Sequence, residues 1–165
     1  QINLGNVHQS LNNFEDALHH FHQALKIYEE LDNKYGIGII YNNMGTIFLS
    51  MKKNPTALDY FLKALKIFEK IDYRKGAANS LNNIGAIFYQ QQDYEQALSY
   101  FEKALPLLRE TGSKNGIATA LNNIADVYAD SDRISEALSY FSQALQLEEE
   151  IGDKYGISLC FKNIA

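Results

Sequence analysis

The chain has 165 residues, 46% of them hydrophobic and 21% charged, with two Pro, no Trp and a formal net charge of −5. Apolar content of this order sustains a core and argues against disorder, while an acidic surface without runs of Lys and Arg disfavours nucleic acid as a partner. No stretch approaches the roughly 20 consecutive apolar residues of a membrane span, Gln1 opens no signal-peptide pattern, and the lone Cys160 can form no internal disulfide, so a cytoplasmic setting without a membrane partner is expected.

Taken in order, residues 1–12 read as part of a helix A, followed by a helix B over 14–31. Three complete helix pairs follow at 34–71, 74–111 and 114–151, and a partial helix A closes the chain at 154–165. The division rests on an ungapped period of 40: Ala17, Ala57, Ala97 and Ala137 recur in phase, as do Phe21, Phe61, Phe101 and Phe141, and Ala24, Ala64, Ala104 and Ala144. In the third unit Leu81, Ile84, Gly85 and Phe88 share one helical face, and after the polar turn Gln91, Gln92 and Asp93 so do Ala97, Phe101, Ala104 and Leu108. Neither helix can bury its stripe alone, so the pairs are expected to stack.

Local signals place the ends. Asn13 and Asp93 are positioned to cap B helices, Pro55 falls where a first helical turn tolerates proline, and Gly112 and Gly152 suit helix termini. Pro106 stands inside a helix B where the other units carry Lys26, Lys66 and Gln146, so a kink is expected there. A small residue recurs in helix A as Gly5, Gly45, Gly85, Ala125 and Ala165. Glycine inside a helix costs about 1 kcal/mol relative to Ala, so its recurrence implies close helix crossing, with the large Phe of helix B filling the space beside it.

These residues carry a resemblance. Leu81, Ile84, Gly85, Phe88, Ala97, Phe101 and Ala104, repeated as Tyr41, Met44, Gly45, Phe48, Ala57, Phe61 and Ala64 and again as Leu121, Ile124, Ala125, Tyr128, Ala137, Phe141 and Ala144, are similar to the tetratricopeptide repeat signature. The resemblance covers essentially the whole chain, residues 1–165, as a single array. It departs from the family in lacking the Trp and in carrying Glu69, Arg109 and Glu149 at the place of the late Pro, which lets helix B run on. The resemblance implies an all-α superhelix of antiparallel helix pairs that binds protein and needs no cofactor. Its long units resemble those of scaffolds that hold extended peptides in polarity complexes, and of bacterial sensor arms fused to a histidine kinase or cyclase. Both ends fall within a helix A, so the chain reads as an excerpt of a longer array with uncapped ends, and self-association through those ends is expected.

The resemblance further implies that the A helices line the concave side. At 100° per residue, the arc opposite Leu81, Ile84 and Phe88 holds Asn79, Asn82, Asn83, Ala86 and Gln90. Its counterparts are Ile39, Asn42, Asn43, Thr46 and Ser50 in the second unit, and Thr119, Asn122, Asn123, Asp126 and Asp130 in the fourth. Asparagine is a poor helix former, yet its side chain offers a donor and an acceptor to any peptide backbone. Helices about 8–10 Å apart would present one Asn to roughly every third residue of a chain rising about 3.3 Å per residue. The asparagine ladders known in the family match Asn43, Asn83 and Asn123. The same amides could instead bond to the adjacent repeat and set its pitch. A carboxylate clamp is not supported, because its Lys and Arg places hold Ile39, Thr46, Asn79, Ala86, Thr119 and Asp126; the carboxylates of Asp126 and Asp130 favour a neutral or basic peptide.

Chemistry is scarce elsewhere. His19, His20 and His22 lack the carboxylate or Cys that would complete a metal shell, so no metal site is expected. Cys160, in register with Ile40, Ser80 and Ala120, reads as a packing thiol, and the Glu148, Glu149, Glu150 run reads as a solvated helix face. No catalytic constellation appears, and the chain is expected not to be an enzyme.

Overall fold

A computed structural model describes Ile2, residues 13–154, residues 156–158 and Asn163. Among these are seven long helices: α1 (Phe14–Glu30), α2 (Lys34–Ser50), α3 (Asn54–Lys70), α4 (Arg74–Gln90), α5 (Tyr94–Glu110), α6 (Lys114–Asp130) and α7 (Ile134–Ile151). Most of residues 1–12, together with Cys160 and Ala165, lie outside the described residues. None of the described helices is long and apolar enough to cross a membrane.

One device ends each of these seven helices. Asp32, Lys52, Asp72, Gln92, Gly112, Asp132 and Gly152 all take a left-handed backbone, with φ from 48° to 78°. At the end of α1, Asn33 N donates to Tyr28 O at 2.9 Å and Asp32 N to Glu29 O at 3.1 Å, which satisfies carbonyls that the helix would otherwise leave open. These residues are twenty apart, so both turns of each unit are built alike and the 40-residue period contains a backbone half-period that the side chains hide. The next helix starts at once. Asp93 Oδ1 accepts from Gln96 N at 3.1 Å, as expected of a cap, and Asn33 Oδ1 does the same for Gly36 N at 2.9 Å. Asn13 does not cap α1; its Nδ2 donates to Asp16 Oδ2 at 2.6 Å instead. Pro106 lies inside α5, and the helix continues through it to Glu110.

The chain forms two compact units, residues 1–83 and 84–165. In the first, Ala17, Phe21 and Ala24 of α1 pack on Ile40, Met44 and Ile47 of α2. Between α2 and α3 the small-against-large pairing read from the sequence is realised: a Cβ at Gly45 would sit 2.6 Å from the Phe61 ring, and one at Gly38 2.5 Å from Phe68. In the second, Ala97 and Phe101 of α5, Ile124, Ala125 and Val127 of α6, and Ala137 and Phe141 of α7 form the core. Gly85 meets Phe101 there as Gly45 meets Phe61, again at 2.6 Å. Buried Phe, Ile and Leu side chains contribute about 1.5–3 kcal/mol each, and they fall on the stripes that the 3.6-residue period selects.

Glu148 corrects the sequence reading. It is only 8% exposed, at the place where the earlier units carry Tyr28, Phe68 and Leu108, and its carboxyl packs against Gly156. Burial, with Asp153 nearby, raises its pKa above the usual glutamate value. Glu149 and Glu150 are exposed as expected.

Candidate functional site

Four positions spaced by four, three and four residues form one stripe on each A helix: 39, 43, 46 and 50 on α2; 79, 83, 86 and 90 on α4; 119, 123, 126 and 130 on α6. Asn79, Gln90, Thr119 and Asp130 are exposed, while Asn43, Thr46, Asn83, Asn123 and Asp126 are half-buried. Asn42, Asn82 and Asn122 stand one position off the stripe and are half-buried too.

Within the first unit the amides engage each other. Asn42 Oδ1 accepts from Asn83 Nδ2 and from the buried Ser80 Oγ, both at 3.3 Å, and so ties α2 to α4. Ser80 Oγ also reaches Gly76 O at 3.1 Å. This is the inter-repeat role that the sequence leaves open, and Ser80 is its missed member. Its only signal is polarity at a place where Ile40, Ala120 and Cys160 stand in the other units. Asn43, Asn122 and Gln90 take part in further interactions of the fold. Asn82 Oδ1 is buried and makes no hydrogen bond among the described residues. The Thr46 hydroxyl turns back on its own helix, donating to Asn42 O at 3.1 Å, and Thr119 does likewise to Asn115 O at 2.9 Å.

Within the second unit the stripe is acidic. Tyr89 OH donates to Asp130 Oδ2 at 2.7 Å, and Asn163 Nδ2 approaches Asp126 Oδ1 at 3.4 Å. No cation pairs with Asp126 among the described residues. Burial, with the Asp130 charge beside it, raises the Asp126 pKa to about 6. The Tyr89 phenol is likewise raised, first by burial and then by its bond to Asp130. The arrangement can accept hydrogen bonds or a positive charge. It contains no activated nucleophile and, among the described residues, no group of His, Cys, Asp and Glu placed to hold a metal.

The tetratricopeptide repeat family model matches residues 1–70 and 72–163. The chain belongs to the tetratricopeptide repeat family. The family's fold, an all-α superhelix of antiparallel helix pairs, is shared by solved structures of low identity. Aspartyl phosphate phosphatase F from Bacillus subtilis superposes with a TM-score of 0.92 at 22% identity, over 96% of this chain and 42% of that one. The apo form of RapI gives 0.88 at 18% identity, over 99% and 60%. BtubC from P. vanneervenii gives 0.78 at 22% identity, over 91% and 62%. This tetratricopeptide chain thus spans between 42% and 62% of the length of these structures. No curated protein matches it by sequence. Tetratricopeptide repeats are in general scaffolds for protein interaction, and a protein partner is the functional class to which the family assigns this chain.

Proposed function

We propose that residues 1–165 act as one continuous array whose A-helix face holds an extended peptide, neutral or basic, in the cytoplasm and without catalysis. What supports the reading is the recurrence, in phase in the sequence, of half-buried carboxamides, Asn43 and Asn83 in the first unit and Asn123 in the second, where the carboxylates Asp126 and Asp130 follow it. An amide that has spent one N–H on a neighbour, as Asn83 has on Asn42, retains its second N–H and its oxygen for a peptide backbone. Fixing the amide in this way orients it before the ligand arrives, which lowers the ordering cost of binding. Asp126, partly desolvated beside a like charge, gains from a Lys or Arg that restores its ionised form. The remaining candidates, Asn42, Asn82, Asn122, Thr46, Asn79 and Gln90, frame that stripe, and Asn42 and Thr46 serve it through their bonds within the fold.

The test is to select peptides from a random library on the intact chain, then measure one selected peptide against Asn43→Ala, Asn83→Ala and Asn123→Ala combined. At about 0.5–1.5 kcal/mol per hydrogen bond, the triple variant should bind tenfold or more weakly with its helical circular dichroism retained. Equal affinity would remove the ladder from the account.

A second reading makes the array the regulatory arm of a larger bacterial signalling protein, such as a histidine kinase or cyclase. It is favoured by the fraction of length covered, 42% in the case of aspartyl phosphate phosphatase F. The parent gene on either side of these residues decides it.

A further inference from the structure

A groove of about 400 Å³ opens in the first unit where α1, α2 and α3 meet. Its floor is apolar, made of Ile37 and Tyr41 from α2 and Ile67 from α3; its rim carries Lys34, Lys66 and Lys70, with Glu29 the one acidic residue lining it among the described residues. Positions 37 and 41 lie on the side of α2 turned away from the stripe of Asn43 and Thr46, so this is a different surface from the carboxamide face.

The second unit supplies an internal comparison. Eighty positions on in the sequence, Ile117, Leu121 and Leu147 line a groove of about 280 Å³, again with apolar side chains, but Gln146 and Glu150 stand in place of the two α3 lysines and Arg109 in place of Glu29. There Lys114 crosses to Glu150, Nζ to Oε2 at 3.0 Å, and neutralises the rim from within. In the first unit Lys70 occupies the place of Glu150, so that bridge cannot form, and Lys34 turns to Asp32 in the loop at 2.5 Å. Lys66 and Lys70 make no close ion pair among the described residues, although Lys70 attracts the Asp32 carboxylate at longer range and adds to the effect of Lys34 on it. Like charges four apart on a helix oppose one another. A cationic groove of this kind, in a chain of net charge −5, is complementary to negative charge brought from outside.

We infer that the groove at the junction of α1, α2 and α3 docks an acidic segment of a partner protein, with an apolar side chain seated on Ile37, Tyr41 and Ile67 and flanking carboxylates on Lys66 and Lys70. The grooves of the two units share a backbone frame and differ in charge, so the lysines select the occupant. The apolar floor favours a peptide over a bare anion, which would leave those side chains uncovered.

The experiment uses the full chain and a short fluorescein-labelled peptide of alternating Glu and Leu, read by fluorescence anisotropy at low and high salt. Binding should weaken at least tenfold between the two salt conditions, and an unlabelled peptide with Lys in place of Glu, whatever it binds at the acidic stripe, should not displace the labelled one. Lys66→Gln with Lys70→Glu, which copies the second unit's rim, should lower affinity at least tenfold with circular dichroism unchanged. Gln146→Lys with Glu150→Lys should raise the stoichiometry from one peptide to two. Unchanged affinity in the first double variant would overturn the inference, as would displacement of the labelled peptide by the Lys peptide as effective as that by the unlabelled Glu peptide. So would a mass by light scattering that falls from dimer to monomer in that variant, because the occupant would then be a second copy of this chain.

Discussion

Asp126 shows how a single side chain on the stripe couples folding to pH. Its folded pKa of about 6 lies above the ordinary 3.8, so the folded chain binds its proton more tightly than the unfolded one. The stabilisation is therefore complete below pH 3.8, falls as pH rises toward 6, and is absent above it. The groups that face it, the Asp130 carboxylate with Tyr89 OH bound to it and the Asn163 amide, include no cation to reverse the sign. Asp126→Asn is expected to raise stability by about 1 kcal/mol at pH 7 to 8, allowing for partial solvent screening, and to change it little near pH 4. Urea unfolding at the two pH values measures the difference, and an equal effect at both would refute the assignment. By the same physics, binding of a Lys-bearing peptide at this stripe is expected to strengthen as pH rises through 6, with proton release visible by calorimetry in buffers of different ionisation enthalpy.

At the scale of the element, the helix ends are where local preference and fold disagree. Five of the seven left-handed turn positions are not glycine, and a Cβ in that conformation costs roughly 1–2 kcal/mol. Lys52→Gly and Gln92→Gly are expected to stabilise by about 0.5–1 kcal/mol each, once the greater freedom of glycine in the unfolded chain is subtracted. Gly112→Ala is expected to cost about 1 kcal/mol. Nothing lies within 4 Å of the Cβ it would add, so the cost would be one of backbone strain alone. Thermal unfolding of the three single variants tests both signs. The sequence signals this device only at Gly112 and Gly152; Asp32, Lys52, Asp72, Gln92 and Asp132 give no such mark, because the bonds that impose the left-handed turn belong to the helix end and not to the residue.

On the scale of the whole molecule, the contacts described within each unit run between helices one or two apart in the chain, so damage should stay local. Phe61 is fully buried against Gly45, and Phe61→Ala is expected to cost about 3–5 kcal/mol. Hydrogen exchange should show the loss of protection concentrated in α2 and α3, with α6 and α7 changed far less. A uniform loss throughout the chain would mean that the array unfolds as one cooperative block. The charge of the molecule has the same local character. The net −5 suits the acidic stripe of the second unit, yet it hides the lysines of α3, which average composition cannot reveal.

The 40-residue period, the helix pairs and the pairing of glycine with phenylalanine were all legible in the chain alone, because each follows from a stripe that must be buried and from the space a large ring requires. The asparagine stripe was legible as a pattern, since helical geometry alone assigns residues to a face. Tertiary structure decided how those amides are used: Asn42 meets Ser80 and Asn83 across 38 and 41 residues of sequence, and no periodicity states which atom of an amide points at which neighbour. It also decided that Glu148 is buried, although its sequence surroundings are those of a solvated acidic run. Burial is a property of what stacks on a residue, and hydrogen bonds and pKa values depend on that stacking at a resolution of ångströms, whereas the period of a sequence records only which side of a helix faces inward.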